Sequence, residues 1–452
     1  MNALEKRSVA ALASVYALRM LGLFMVLPVF VLLGKDLHGA TPALLGVAIG
    51  AYGLSQAMLQ IPFGMLSDRL GRKRLIYFGL LLFALGSCVA GASDSIYGVI
   101  VGRILQGSGA IASVLMALLS DLTREENRTK AMATVGLSIG VSFSVSLFLG
   151  PLLGSLAGLS GIFYITGLFA LVAIAMVRWL VPKPALQSAH LDAQPAKAKL
   201  KQVLTDRRLL RLDFGIAALH LVLTSAFLVI PTLLQDRIGL PSGQHWWVYL
   251  SVMAVAFVAM VPFIIIGEKK RMMKPVLCGA VGVLTLACAA LIGLPQSLPV
   301  MWGILFFFFM AFNLLEACLP SLISKESPAA AKGTAMGVYS TSQFLGAFLG
   351  GVLGGQLLQQ FGPAGVFMMM VTVLLAWLGF ALTMPRPSHT SSFVVQLAES
   401  NRKGLRDIDQ ALRALPGVED VVILSDADTA YLKVDYQHFD SAQLGQFAFV
   451  KA

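Results

Sequence analysis

Four ionisable side chains stand inside otherwise apolar stretches of this 452-residue chain: Arg19, Arg103, His220 and Glu316. A charge embedded in an apolar span is costly unless it pairs or faces water, so each is a candidate for function. Glu316, in Phe312-Asn313-Leu-Leu-Glu316-Ala, reads as the only carboxylate well inside a span. Low dielectric disfavours its ionised form, which suits a carrier that must gain and lose a proton. Imidazole titrates near neutrality, so His220 fits the same chemistry, with a packing histidine as the other reading. Arg19 fits a cavity charge that balances Glu316 or meets an anionic substrate group.

Neutral polar residues extend the pattern. Tyr52, Gln56 and Gln60 share one helical face, as do Tyr339 and Gln343, and Asn313 precedes Glu316 by three. They read as cavity lining, or as hydrogen bonds between helices. No G-x-S-x-G, H-E-x-x-H or phosphate-cradling loop stands at a convincing place, so an enzyme is not expected. Four cysteines fall in apolar runs without C-x-x-C spacing, which argues against a disulfide framework, a metal site or another cofactor.

The elements that must position these groups are membrane helices. Charged residues are 13% of the chain against about 25% in soluble proteins, and mean hydropathy is +0.80. The uncharged runs 131–177, 275–315 and 333–385 are 47, 41 and 53 residues long. Each is too long for one span of about 20 residues and fits two. Twelve spans follow: 9–33, 43–66, 75–93, 96–120, 130–154, 161–181, 210–234, 245–267, 276–293, 299–322, 332–357 and 364–384. The net charge of +11 does not imply nucleic acid, because residues 386–452 are mildly acidic and the basic excess lies in the membrane part. Only Lys35 and Arg237 lie in odd-to-even loops, so both termini and the even-to-odd loops are expected in the cytoplasm.

A repeat divides the spans into two sixes. Ala131-Met132 and Gly150 recur as Ala335-Met336 and Gly354, an offset of 204 residues. The expected divisions are residues 1–182 and 209–385 for the two halves, with 183–208 as a cytoplasmic linker that either carries one short amphipathic helix or is disordered. A fourth unit, 393–452, has strand alternation at Phe393–Leu397 and helical spacing at Leu405, Ile408, Leu412 and Leu415. A hairpin around 425–428 and a final helix from Ser441 complete a βαββα order.

Between the second and third spans runs Gly64-Met-Leu-Ser-Asp68-Arg69-Leu-Gly71-Arg72-Lys73-Arg74. Gly64 removes a side chain where helices must close, and Gly71 permits a sharp turn. The G-x-x-x-D-R-x-G-R-K spacing resembles the signature loop of the major facilitator superfamily. Arg103-Ile-Leu-Gln106-Gly107 resembles its R-x-x-Q-G motif, and Gly140, Gly150, Pro151 and Gly154 resemble the antiporter motif of its drug exporters. The resemblance implies an all-α, twelve-span fold of two pseudo-symmetric six-helix halves. It implies a latch in which Gly64, Asp68, Arg69, Gly71 and Arg72 act with Asp121, and a part for Arg103 in proton coupling. The tail resembles a ferredoxin-like domain of the heavy-metal-associated type, without that type's cysteines. The implied function is proton-coupled export of small molecules across a bacterial inner membrane by alternating access. Expected partners are substrate, protons and the lipid bilayer, with self-association through the tail as a further option. Uptake, or a receptor signalling through the tail, are the alternative readings.

Overall fold

The computed structural model describes residues 1–182, 196–293, 297–328, 331–385, 391–397, 405–424, 429–435 and 438–447. The first half comprises α1 (Ala3–Phe24), α2 (Phe30–Gly34), α3 (Pro42–Leu70), α4 (Arg72–Gly91), α5 (Ile96–Ser108), α6 (Ala112–Asp121) and α7 (Glu125–Trp179). After a short helix α8 (Ala196–Thr205), the second half follows as α9 (Arg207–Thr232), α10 (His245–Lys269), α11 (Met273–Ile292), α12 (Leu298–Glu326) and α13 (Lys332–Leu382). Ten helical stretches among the described residues are long and apolar enough to cross a membrane. Two of them are double length, so the bundle makes twelve crossings.

Those two long helices fold back at single glycines. Gly158 in α7 has φ 66° and ψ −171°, and Gly362 in α13 has φ 67° and ψ −166°. A Cβ at either position meets nothing within 4 Å, so it is the left-handed backbone that calls for glycine. The two residues are 204 apart, the offset of the sequence repeat.

Two expected spans are broken. The first ends at Phe24, and the chain turns through Met25–Val29 before α2. Pro28, which lacks an N–H and whose ring opposes the carbonyl four residues back, stands in that turn and favours the break. The fourth span breaks at Gly109–Ile111, between α5 and α6. A Cβ on Gly109 would overlap the Gly79 carbonyl of α4, so only glycine allows this approach. At its start α1 reaches further than the charge pattern suggests. A capping box begins it at Ala3, in which Asn2 accepts from the Glu5 amide and Glu5 from the Asn2 amide, both at 2.8 Å.

The halves interlock through glycines at one end. A Cβ on Gly46 of α3 would overlap the Gly351 carbonyl and stand 2.8 Å from Gly355 Cα. On Gly50 it would stand 2.8 Å from the Phe348 carbonyl, and on Gly53 2.6 Å from that of Phe344. This is the small-residue packing that lets membrane helices approach closely. Towards the Gly71 end the interlock stops. A Cβ on Gly64 would meet only Ser113 of its own half, and Gly136, Gly140, Gly333 and Gly337 have nothing within 4 Å among the described residues.

The tail is a small α+β unit with its own apolar core of Val395, Ile408, Leu412, Val421, Leu432 and Val434. Its antiparallel sheet has the order β1-β3-β2, with β1 (Ser391–Gln396), β2 (Val418–Leu424) and β3 (Thr429–Val434), and with α14 (Leu405–Arg413) between the first two. Where a final α-helix is expected, Ser441–Gln446 forms one 3-10 segment. The hairpin tip 425–428 and linker residues 183–195 lie outside the described residues. Asp435, just after β3, takes a two-pronged ion pair at 2.6 and 3.2 Å from Arg271, in the turn between α10 and α11.

Candidate functional site

The α3–α4 turn is built around Arg72. Gly71 caps α3 at φ 93° and turns the chain, so Arg72 opens α4 pointing back at α3. Its guanidinium pairs with Asp68, donates to the Ser67 hydroxyl, and reaches Asp121 at the end of α6 at 3.2 Å. Lys73 donates to the Val181 carbonyl at 2.6 Å, whereas Arg69 is exposed. All of these contacts stay within the first half, and the Asp68 side chain is 60% exposed. The second half carries a counterpart of reversed sign. Glu268, at the end of α10, accepts from Ser321 at 2.9 Å and Lys325 at 2.6 Å on α12. Lys325 lies 204 residues after Asp121.

The first half also buries two arginines. From α1, Arg19 donates through Nη2 to the Tyr52 hydroxyl (3.1 Å), Gln56 Oε1 (2.6 Å) and the Gly109 carbonyl (3.0 Å) at the α5–α6 break. Its Nε and Nη1 have no hydrogen-bond partner among the described residues. Gln56 passes the chain to Gln60 at 2.6 Å. Arg103 donates to the Ala48 carbonyl (3.4 Å) and Gln106 Oε1 (3.0 Å), and its guanidinium lies 5.0 Å from the centre of the Tyr52 ring. Tyr52, Gln56 and Gln60 are therefore arranged around arginine as a packed polar network. The antiporter-type glycines divide. A Cβ on Gly150 would overlap the Met25 carbonyl at the α1–α2 break, and on Gly154 it would touch Leu33 and Val29 at 3.3 Å, while Gly140 packs on nothing. Pro151 stands inside α7.

In the second half, α9, α12 and α13 converge on Glu316. Gln343 of α13 donates to Glu316 Oε1 at 3.3 Å and contacts His220 Nε2 of α9 at 2.8 Å. The other ring nitrogen, Nδ1, faces the Ile216 carbonyl at 3.3 Å. With the ring proton on Nδ1, Nε2 is left to accept from the Gln343 amide. His220 Nε2 and Glu316 Oε2 are 3.8 Å apart. The Glu316 side chain keeps 31% of its surface open, so the acid is turned inward without being sealed. Tyr339 is buried, and its hydroxyl has no hydrogen-bond partner among the described residues. The Asn313 amide lies 3.8 Å from Met253 Sδ of α10.

One acid escaped the sequence reading. Asp213, three residues into the expected span 210–234, is 5% exposed, and neither carboxylate oxygen has a hydrogen-bond partner among the described residues. Its neighbours Arg207, Arg208 and Arg211 made it look like part of a charged flank. The signal lay in the spacing: Asp213 and His220 are seven residues apart, two helical turns on one face.

Twelve crossings in two halves, with charges buried inside each, describe a polytopic membrane protein of the kind that moves solutes. The relatives agree. The chain belongs to the Major Facilitator Superfamily, which it matches over residues 12–351. It is similar to the inner membrane transport protein YajR of Escherichia coli strain K12, 47% identical over 432 residues, 95% of this chain and 94% of that protein. It is also similar to the multidrug resistance protein MdtH of Aeromonas salmonicida, 27% identical over 344 residues, 75% of this chain and 84% of that protein. Among solved structures, a bacterial homologue of the human lysosomal transporter Spinster, inward-facing and occupied, shares the fold at a TM-score of 0.67. It is 14% identical and covers 86% of this chain and 98% of that one. The family and these relatives are transporters, not enzymes.

Proposed function

We propose that this chain is a proton-coupled secondary transporter that exports small molecules across a bacterial inner membrane by alternating access. One observation carries the reading: Glu316, an acid among apolar helices, is turned inward, partly open, and held by Gln343 next to His220. A membrane-embedded acid in such a place serves proton exchange better than structure. His220 is placed to share the proton with Glu316. Arg19 and Arg103 fix positive charge in the opposite half, where it complements Glu316 or an anionic group of the substrate. The excess of Lys and Arg in the termini and even-to-odd loops supports cytoplasmic termini. The multidrug name of one relative supports export over uptake.

The Arg72 cluster is the latch of the outward-open state, in which Gly64 and Asp68 dock on the second half. In the present state Gly64 has room and Asp68 is exposed, which fits a released latch. Asp68→Asn is expected to favour the inward-facing state, lowering the labelling of cysteines placed on the periplasmic side. Unchanged labelling removes the latch. The tail offers a surface for self-association, which cross-linking of the full chain in membranes tests.

The function itself is tested in two stages. A growth-inhibitor panel on cells lacking or overproducing the protein identifies a cargo. Proteoliposomes with that cargo and an imposed pH gradient are then expected to show uphill flux that collapses with the gradient. Flux indifferent to the gradient refutes proton coupling.

A further inference from the structure

We infer that the tail is a docked domain of the second half, fastened to the α10–α11 turn through Asp435 and Arg271, and that its docking holds the Gly71 end of the bundle open. The inference rests on alternating access, and on neither proton coupling nor the latch.

The turn keeps a costly backbone for the sake of one side chain. Residues 62–74 and 262–274 are counterparts at an offset of 200: Pro62-Phe63 matches Pro262-Phe263, Asp68 matches Glu268, and Arg74 matches Lys274. Arg271 therefore stands where the first half has Gly71. Both are left-handed, Gly71 at φ 93° and Arg271 at φ 56°, and among the described residues no other residue with a side chain has a positive φ. Glycine adopts that conformation freely, whereas a residue with a Cβ persists there only when its surroundings hold it.

What holds Arg271 is the tail. Its Nη1 and Nη2 donate to the two oxygens of Asp435 at 3.2 and 2.6 Å, the fork in which a guanidinium meets a carboxylate best. The acid of its own turn, Glu268, is already engaged by Ser321 and Lys325. Asp435 is fixed in turn by its own domain. Its amide donates to the Gly417 carbonyl at 2.7 Å, and its carbonyl accepts from the amides of His438 and Phe439 at 3.0 and 2.8 Å. Phe439 belongs to the apolar core of the tail, and the Asp435 side chain is 17% exposed. The pair thus joins two ordered supports, one in each domain.

Its place gives the contact a consequence. Gly243, just before α10, lies against Ser155 of α7 at the closed end, where an added Cβ would stand 3.3 Å from Ser155 Cβ. From there α10 runs back towards the start of α7, where Gly136 and Gly140 have open space. Shutting that end brings the α10–α11 turn towards the first half. A domain fastened to the turn stands at the rim that has to close, so docking and closure oppose each other, and linkage makes the opposition reciprocal.

The test uses the full chain, purified in detergent, without its native cysteines. Lys270→Cys and His438→Cys, exposed positions on the two sides of the contact, are bridged with a short bis-maleimide. Cross-linking is expected with Arg271 and Asp435 intact. It is expected to be lost in Arg271→Gly, which supplies the turn residue of the first half, and in Asp435→Arg, and to return when Arg271→Asp is combined with Asp435→Arg. The open end is read separately, by the rate at which a hydrophilic maleimide labels Gly337→Cys. Arg271→Gly and Asp435→Arg are expected to slow that labelling about tenfold, and the charge swap to restore it. Cross-linking that survives both variants, or labelling that they leave unchanged or quicken, overturns the inference. Gly46→Val, which forces the opposite end apart, separates the two readings. Slower labelling in Gly46→Val with wild-type labelling in Asp435→Arg keeps alternating access and removes the role of the tail. Wild-type labelling in Gly46→Val as well removes alternating access between these ends.

Discussion

Gly46→Val is expected to hold apart the end of the bundle that is closed in this structure. A Cβ there would overlap the Gly351 carbonyl and press on the Gly355 backbone, and neither can rotate away as a side chain could. Gly50 and Gly53 continue the same line of contact one and two turns along α3, so the helices cannot tilt to make room. Overpacking of this kind costs about 3 kcal/mol. In a two-state transporter that shifts the ratio of states on the order of 100-fold toward the one in which this end is open. The measurement is labelling of an Ala347→Cys site by a membrane-impermeant thiol reagent, in a background without the native cysteines. Ala347 lies against Gly53 in the closed contact, so the wild-type background should be protected and the Gly46→Val background labelled. Gly136→Val, at a position with open space, should leave protection unchanged. Equal protection in all three backgrounds means the interlock is not a gate.

Glu316→Gln is expected to abolish flux driven by a pH gradient while leaving exchange of substrate down its own gradient. Glutamine keeps the length of the side chain and an oxygen for the Gln343 amide to reach, so α9, α12 and α13 retain their packing. It cannot carry a proton, and a carrier without its proton site has nothing to couple. Uphill flux should therefore fall by about 100-fold or more, the range of a lost acid–base group. Exchange should persist and lose its dependence on pH. Wild-type uphill flux in this variant refutes the proton role of Glu316, while the assignment to the superfamily, which rests on the whole chain, is unaffected.

The contrast between Glu316 and Asp213 shows what a sequence can and cannot disclose. Glu316 was legible because 41 uncharged residues precede it, so its cost in the membrane is visible without coordinates. Asp213 is the more deeply buried of the two but stands among three arginines, and local composition cannot tell a snorkelling flank from an acid turned inward. Arg19 was legible as an anomaly, yet its partners, Tyr52, Gln56 and the Gly109 carbonyl at the α5–α6 break, are brought to it only by the fold. Gly64 was read as a missing side chain where helices close, but the sequence could not say that its space is open in this state while that of Gly46 is filled.

The chain by itself determined the class, the twelve apolar stretches, the repeat of 204 residues and the charged turn. Each follows from hydrophobicity and spacing, which act locally along the backbone. Only the tertiary structure decided which end of the bundle is shut, which polar atoms remain unpartnered, and that Gly158 and Gly362 are the matched corners. Those depend on how close one helix comes to another, and a distance between segments far apart in sequence has no local signature.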